Sequence, residues 1–345
     1  MTAGNPALID IIQTEIRKRG HVSFAWFMKQ ALYHPEHGYY SSGRASIGRG
    51  GDYFTNVSVG PLFGQLLAAQ FAQIWRRLGQ IDNFIIVEQG AHHGDFARDV
   101  LEAVRKIQPE FFEALRYRIV EPFPVLQDRQ SKTLVEFGER VQWRKSLGEL
   151  EPFTGVHFSN ELLDAMPADL RGKLVGLDSE QLVLVERPPD KTGQTNRAAL
   201  EWIDRLSTKL ERGFAIAIDY GFARDEFREV LQVRTQHRVL DSPFEQIGEA
   251  DITMHINWTD LAERAESRGL RVAGFTDQHH FVTGIISEFP ELVENGKTKR
   301  ALQTLLHPEM LGRAFEVLAL SKEVDPFTPL AGFKFARDSR AVLGI

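Results

Sequence analysis

Ile85-Ile86-Val87-Glu88-Gln89-Gly90-Ala91-His92-His93-Gly94-Asp95-Phe96 decides the fold, because an apolar run ends on an acid and enters a glycine-bracketed turn that opens a helix. A strand, a glycine turn and a helix in that order form the opening unit of a Rossmann-like α/β sheet. The turn lies where such sheets hold an adenosyl cofactor. Working outward, Tyr117 to Val120 reads as the next strand and ends on Glu121, 31 positions after Gly90. A carboxylate there can accept hydrogen bonds from both ribose hydroxyls. Nicotinamide sites place that acid roughly 20 residues on and keep a glycine at the middle of the turn, where this chain has His92. Both departures lean towards S-adenosylmethionine, which has no pyrophosphate needing a triple-glycine cradle.

From Phe84 on, apolar runs alternate with helical segments: Phe84 to Val87, Tyr117 to Val120, Val141 to Trp143, Val156 to Phe158 and Phe214 to Ile218. That rhythm predicts a parallel sheet with right-handed crossovers. Arg271 to Phe275 and Ala314 to Leu320 supply two further strands. Leu170 to Val185 interrupts the rhythm with an inserted hairpin around Gly176-Leu177-Asp178-Ser179, and Arg197 to Leu210 reads as a helix. Upstream, residues 1 to 80 look helical and loop-rich. Phe63, Leu67, Phe71 and Ile74 fall on one apolar helix face after Pro61.

Composition narrows the class. The 345 residues, 43% apolar and 26% charged, can bury a large core. A net charge of −6 and a pI near 6.0 leave no global basic footprint for nucleic acid. The chain has no cysteine, which removes disulfides, thiolate zinc sites and cysteine nucleophiles and agrees with a reducing compartment. No apolar run is long enough to cross a membrane. The amino terminus lacks a signal-peptide core, and Asp10 and Glu15 sit badly with a transit peptide, so the expectation is a cytoplasmic protein.

Ligands of open α/β sheets bind outside the carboxyl ends of the strands, and two such ends carry further acids. The fourth strand runs into Asn160-Glu161-Leu162-Leu163-Asp164, and the fifth into Asp219-Tyr220-Gly221. Asn160, Glu161 and Asp164 read equally as a helix N-cap with first-turn acids and as functional groups over the sheet.

With these motifs in place the whole chain resembles the MidA-like family of S-adenosylmethionine-dependent methyltransferases, which includes a mitochondrial complex I assembly factor. Phe27-Met28 and Leu32-Tyr33-His34-Pro35-Glu36-His37-Gly38-Tyr39-Tyr40 match its amino-terminal signature, as do Gly50-Gly51-Asp52-Tyr53-Phe54-Thr55 and Phe63-Gly64. Asn160-Glu161 with Asp164-Ala165-Met166-Pro167 corresponds to its motif after strand four, and Ile218-Asp219-Tyr220-Gly221 to that of strand five. Gly248 to Asn257 matches its carboxy-terminal motif.

The resemblance implies a class I methyltransferase with a mostly parallel seven-stranded sheet. A helical region over residues 1–80 would close the cleft, and a Rossmann-like domain over 81–345 would carry insertions at about 168–210 and 222–258. It further implies that Glu88 and Gly90 hold the methionine part of S-adenosylmethionine, that Glu121 binds the ribose, and that Gly51, Asp52 and Thr55 close the cleft. Asn160, Glu161 and Asp164 would face the acceptor, with Glu161 taking its proton and Asp164 or Asp219 as a second carboxylate. The implied acceptor is an arginine of a partner protein such as a respiratory complex I subunit, and a homodimer is compatible with the family.

The departure lies in the turn, where relatives usually read glycine-proline-glycine-arginine-glycine and this chain reads Gly90-Ala91-His92-His93-Gly94. Either the His92 side chain turns away and the pocket survives with Glu88, Gly90, Gly94 and Glu121 in place, or the pocket is altered. Three functions therefore stand: a protein arginine methyltransferase, a small-molecule methyltransferase, and a non-catalytic assembly factor or binding module. The histidine pairs His92-His93 and His279-His280 do not predict a metal site, because adjacent residues on a regular element point apart. His34 and His37 read as turn formers around Pro35 and Gly38. Arg44 and Gly48 to Gly51 read as a loop that steers an acidic partner or carries ordinary solvated charge.

Overall fold

The computed structural model describes residues 4–43, 45, 55–186, 196–226, 228–294 and 298–345. In chain order the amino-terminal part forms α1 (Pro6–Arg19), β1 (Val22–Ser23), α2 (Phe24–Tyr33) and α3 (Leu62–Arg77). The sheet then begins with β2 (Phe84–Gln89), α4 (Asp95–Ile107), α5 (Pro109–Ala114), β3 (Leu115–Val120), α6 (Pro124–Thr133), β4 (Val141–Arg144) and β5 (Phe153–Asn160). Next come β6 (Lys173–Asp178), β7 (Gln181–Glu186), α7 (Arg197–Lys209), β8 (Leu210–Asp219), β9 (Gly221–Phe222), β10 (Leu231–Thr235) and β11 (Arg238–Val239). The carboxy-terminal part holds β12 (Asp251–Met254), β13 (Ile256–Asn257), α8 (Trp258–Ser267), β14 (Arg271–Asp277), α9 (Gln278–Glu288), α10 (Lys299–Leu306), β15 (Glu316–Lys322) and α11 (Ser339–Leu343).

The chain divides into two compact units. The first gathers Met1–Phe54, Leu163–Glu201 and Arg228–Ile256; the second gathers Thr55–Leu162, Trp202–Phe227 and Asn257–Ile345. The boundary at Phe54 leaves α3 in the second unit.

In the second unit seven strands form one sheet in the order β14-β15-β8-β5-β2-β3-β4. The run from β4 to β8 is parallel, and β15 lies antiparallel between β8 and β14. This is the mostly parallel seven-stranded α/β sheet expected from the sequence. Strand β5 and strand β8 are longer than their apolar runs. Each begins in a glycine-containing stretch, Phe153-Thr154-Gly155 and Leu210-Glu211-Arg212-Gly213, that reads as a turn until its neighbour pairs with it. The order reverses at β2: β3 and β4 extend one way and β5 the other, which opens the switch-point crevice at the carboxyl ends of β2 and β5.

One face of that sheet is covered by α3 and α4 through stacked rings. Phe96 lies 4.5 Å from Phe158, and Phe63 and Phe71 pack around them at 5.7 Å from Phe96 and Phe158 respectively. The helices approach so closely that a Cβ on Gly64 would come within 2.6 Å of the Cβ of Asp99, so the Phe63-Gly64 pair is a packing requirement.

The first unit has its own apolar core, in which Leu8, Ile12, Phe27, Val175 and Ile252 are fully or almost fully buried. Helix α1 is capped by Asn5, whose side chain accepts from Ala7 N and Leu8 N. Two antiparallel sheets, β1-β6-β7 and β11-β10-β12, complete it. The expected hairpin is present, but its loop is Ser179-Glu180, with φ of 46° and 70°, two residues beyond the predicted centre. Gly176 sits inside β6 instead, because a Cβ there would come 2.9 Å from Cγ1 of Val185 on the facing strand. The His34 ring accepts from the amides of Glu36 and His37 and so closes the turn after α2, and Tyr33 and Tyr40 stack at 5.5 Å beside it.

Candidate functional site

At the end of β2 the backbone turns through Gly90 (φ 86°), His92 (φ 46°) and Gly94 (φ 82°) into α4. A side chain in the left-handed region costs about 1–2 kcal/mol, less for histidine than for a branched residue. Helix α6 braces the turn. The Nε2 amide of Gln130 donates to the His92 carbonyl at 3.0 Å, and the turn presses on α6 at Gly94, where a Cβ would meet Leu134 at 3.3 Å. The rings of His92 and His93 stack at 3.8 Å, so the expectation that they point apart is wrong; it applies to regular elements, and this is an irregular turn. Among the described residues no group of His, Asp and Glu gathers as a metal site.

Glu121, at the end of β3, is 4% exposed. Its Oε1 accepts from Phe123 N at 3.0 Å and its Oε2 from Gln130 Nε2 at 3.1 Å. Burial pushes its pKa up to about 7, opposed by those two hydrogen bonds. Gln130 is fully buried and also accepts from Trp143 Nε1 at 2.9 Å, so one amide touches the turn, the acid after β3 and strand β4. Glu88 is equally buried and accepts from the Tyr117 hydroxyl at 2.7 Å. Burial raises its pKa to about 7; the Tyr117 bond opposes the rise and the charge of Asp95 adds to it.

At the end of β5 a second turn carries Glu161 at φ 53°, half-buried, with its amide donating to Ile218 O at 2.9 Å. Asn56 Nδ2 donates to Asn160 Oδ1 at 2.8 Å, and Asn160 Nδ2 donates to Glu161 Oε1 at 2.9 Å. Asp219 accepts from Leu162 N at 3.0 Å and from Tyr220 N at 2.8 Å, which ties the chain after Glu161 to the end of β8. Neither Asn160 nor Glu161 lies in a helical first turn.

The second unit thus holds Glu88, Gly90, Gly94, Glu121, Asn160, Glu161 and Asp219 around the carboxyl ends of its central strands. Thr55 is in the same unit, next to Asn56, with its hydroxyl 3.1 Å from that of Ser58. Asp164 lies in the first unit, buried, with its carbonyl accepting from Met254 N. Gly51, Asp52, Arg44 and the rest of that loop, Gly48 to Gly50, fall outside the described residues. Asn56, Gln130 and the Tyr117 hydroxyl were not singled out from sequence. The one available signal was Gln130 at i, i+4 spacing between the apolar Leu126 and Leu134, a polar residue on a buried stripe.

The residues fit an adenosyl cofactor. A buried carboxylate has about four acceptor sites, and Glu121 has one bond to each oxygen, which leaves capacity for two ribose hydroxyls. The glycine-bracketed turn lets backbone approach a ligand, and His92 adopts the left-handed conformation that favours glycine.

Fold and site together define a Rossmann-like methyltransferase. A family model of S-adenosyl-L-methionine-dependent methyltransferases matches residues 66–191 and 181–276, more than half of the chain, and the protein belongs to that family. It is similar over its full length to a COG1565 superfamily member from Burkholderia thailandensis solved bound to S-adenosyl-homocysteine. That match has a TM-score of 0.85 and 28% identity and covers 97% of this chain and 96% of that one. Among curated proteins, the Drosophila melanogaster homolog of protein arginine methyltransferase NDUFAF7 is 24% identical, covering 96% of this chain and 89% of its own length. The Homo sapiens protein arginine methyltransferase NDUFAF7 is 24% identical, covering 98% and 88%. The protein is an S-adenosylmethionine-dependent methyltransferase. The cytoplasmic expectation is corrected by the same relatives, which are named as mitochondrial. Cysteine content and net charge describe a folded domain and carry no address. Among the described residues no helix is long and apolar enough to cross a membrane.

Proposed function

We propose that this methyltransferase modifies an arginine side chain of a partner protein, with a respiratory complex I subunit as the partner class. The observation that carries the reading is the half-buried Glu161 carboxylate, held in a left-handed turn at the carboxyl end of β5 and oriented through Asn160 and Asn56. The naming of the full-length relatives as protein arginine methyltransferases supports it.

S-adenosylmethionine supplies an electrophilic methyl group. Everything else falls to the chain. Glu88, Gly90 and Gly94 shape the turn that receives the methionine part, and Glu121 takes the ribose. Thr55 stands beside Asn56 at the head of the acceptor relay. A guanidinium pairs bidentately with a carboxylate, which orients one nitrogen. Arginine offers little free base near neutral pH, so Glu161 would accept the proton that the guanidinium nitrogen loses as its bond to the methyl group replaces the methyl–sulfur bond, with S-adenosylhomocysteine as the leaving group. Asp219, which accepts from Leu162 N just beyond Glu161, is the supporting carboxylate. Positioning the reacting atoms in line accounts for most of the acceleration, up to about 7–11 kcal/mol in ideal cases.

The test supplies radiolabelled S-adenosylmethionine with arginine-containing and lysine-substituted versions of a candidate subunit peptide. Label on the arginine peptide alone, lost in Glu161→Gln while S-adenosylhomocysteine still binds, is the expected result. Label on both peptides, or transfer unaffected by Glu161→Gln, rejects the assignment.

A further inference from the structure

Gln130 sits at the middle of α6, fully buried between Leu126 and Leu134, where an apolar side chain would pack without desolvation cost. Both N–H groups and the carbonyl oxygen of its amide are bonded. One N–H goes to the His92 carbonyl at 3.0 Å, the other to Glu121 Oε2 at 3.1 Å, and the amide oxygen accepts from Trp143 Nε1 at 2.9 Å. These bonds join three separate chain segments: the turn after β2, the acid after β3, and β4.

We propose that Gln130 is a positioning residue of the cofactor site. It fixes the rotamer of Glu121 so that the acceptor sites not occupied by Phe123 N and by Gln130 itself face the ribose hydroxyls. Through the His92 carbonyl it holds the glycine-bracketed turn in register with that carboxylate. Trp143 sets which end of the amide donates: with its indole N–H on the amide oxygen, the NH2 end points at Glu121 and His92. The bond to His92 also explains how this chain keeps a non-glycine residue at φ 46°. The proposal rests on Glu121 as the ribose acid.

Calorimetric titration of the full chain with S-adenosylhomocysteine and with its 2′,3′-dideoxy analogue tests it, using Glu121→Ala, Gln130→Met and the double variant. Gln130→Met is expected to weaken S-adenosylhomocysteine by roughly tenfold, about 1.4 kcal/mol, and the dideoxy analogue by no more than about threefold. Added to Glu121→Ala, it should cost no more than about threefold, the part carried by the His92 carbonyl, because its carboxylate partner is gone. Equal losses on both ligands, or a full loss on top of Glu121→Ala, would mean that Gln130 only supports the fold and would overturn the proposal. If Gln130→Met does not fold, Trp143→Phe carries the test, since it removes only the bond that orients the amide. A loss of about two- to threefold, confined to the hydroxyl-bearing ligand, is expected, and a loss shared by both ligands rejects it. Should Glu121→Ala bind S-adenosylhomocysteine like the native protein, the ribose assignment itself fails. Weak binding by Glu121→Ala with native binding by Gln130→Met rejects the Gln130 role alone.

Discussion

The turns after β2 and after β5 each place a non-glycine residue in the left-handed region, His92 at φ 46° and Glu161 at φ 53°, but they are supported differently. The first is held through its backbone by a buried glutamine and flanked by two buried acids that titrate near neutrality. In the second, the backbone is tied to the carboxyl end of β8, while the side chain is half-buried and reached by a relay of two asparagines. Strain in the turn after β2 is absorbed by bracing from α6. Strain in the turn after β5 aims one carboxylate.

If that contrast is correct, the largest effect belongs to the aimed group. Glu161→Gln should lower kcat by roughly 10²–10⁴ while leaving S-adenosylhomocysteine affinity within about threefold, measured by single-turnover transfer and by calorimetry. A comparable loss of affinity would show that the two turns are not separable in function.

Next in size is the response of the free protein to pH. Glu88 and Glu121 titrate near 7 in the folded chain, against about 4.5 as their ordinary value, so between those limits the folded state binds more protons than the unfolded one. Stability is therefore fully present at the acid end and falls as pH rises through 7, by at most about 3 kcal/mol for each acid. Glu316, raised to about 8 by burial and by Asp277 and Glu226, adds a slope of its own. The diagnostic quantity is thus the difference in Tm between the native chain and Glu88→Gln/Glu121→Gln from pH 5 to pH 8. That difference should shift steadily in favour of the double variant as pH increases. A flat difference would place both carboxylates in water rather than in the braced region.

Glu121→Ala should weaken S-adenosylhomocysteine by about 2–3 kcal/mol, as expected for hydrogen bonds to a charged group, with kcat at saturation little changed. The smallest effect is reserved for His92→Gly. It relieves left-handed strain but frees the unfolded chain, so stability should rise by no more than about 1 kcal/mol and affinity by no more than about threefold. A large gain in affinity would show that the imidazole obstructs the pocket and that the bracing by Gln130 is incomplete.

What could be read from sequence follows from what is periodic. All seven strands of the main sheet, the β2 turn and the acid after β3 were visible because apolar runs, glycines and a charged residue at a strand end are local signals. The ends of β5 and β8 were not, since Gly155 and Gly213 belong to strands only when a neighbour pairs with them. Gly176 misled in the opposite sense, being small for the sake of Val185 rather than for a turn. At the site, Asn160, Glu161 and Asp219 were named, but the left-handed conformation of Glu161 has no composition signature. The helical-cap reading of that stretch gave way to a turn pinned by Asp219. Asn56 and Gln130 are polar residues whose partners lie 104 and 38 positions away for Asn160 and His92, distances over which no pattern in one sequence reports. The two-unit partition is equally non-local, because the first unit is assembled from three separate stretches.

The burial of Glu88 and Glu121 has a calorimetric consequence. If the ligand contacts proposed above are made, a carboxyl raised to about 7 by burial would release part of a proton to the buffer when a cationic ligand favours its ionised form, and Glu121 would do the same on accepting from ribose hydroxyls. The apparent heat of cofactor binding near pH 7 would then depend on whether the buffer is phosphate or Tris. The slope of that heat against buffer ionisation enthalpy counts the protons that the two acids give up.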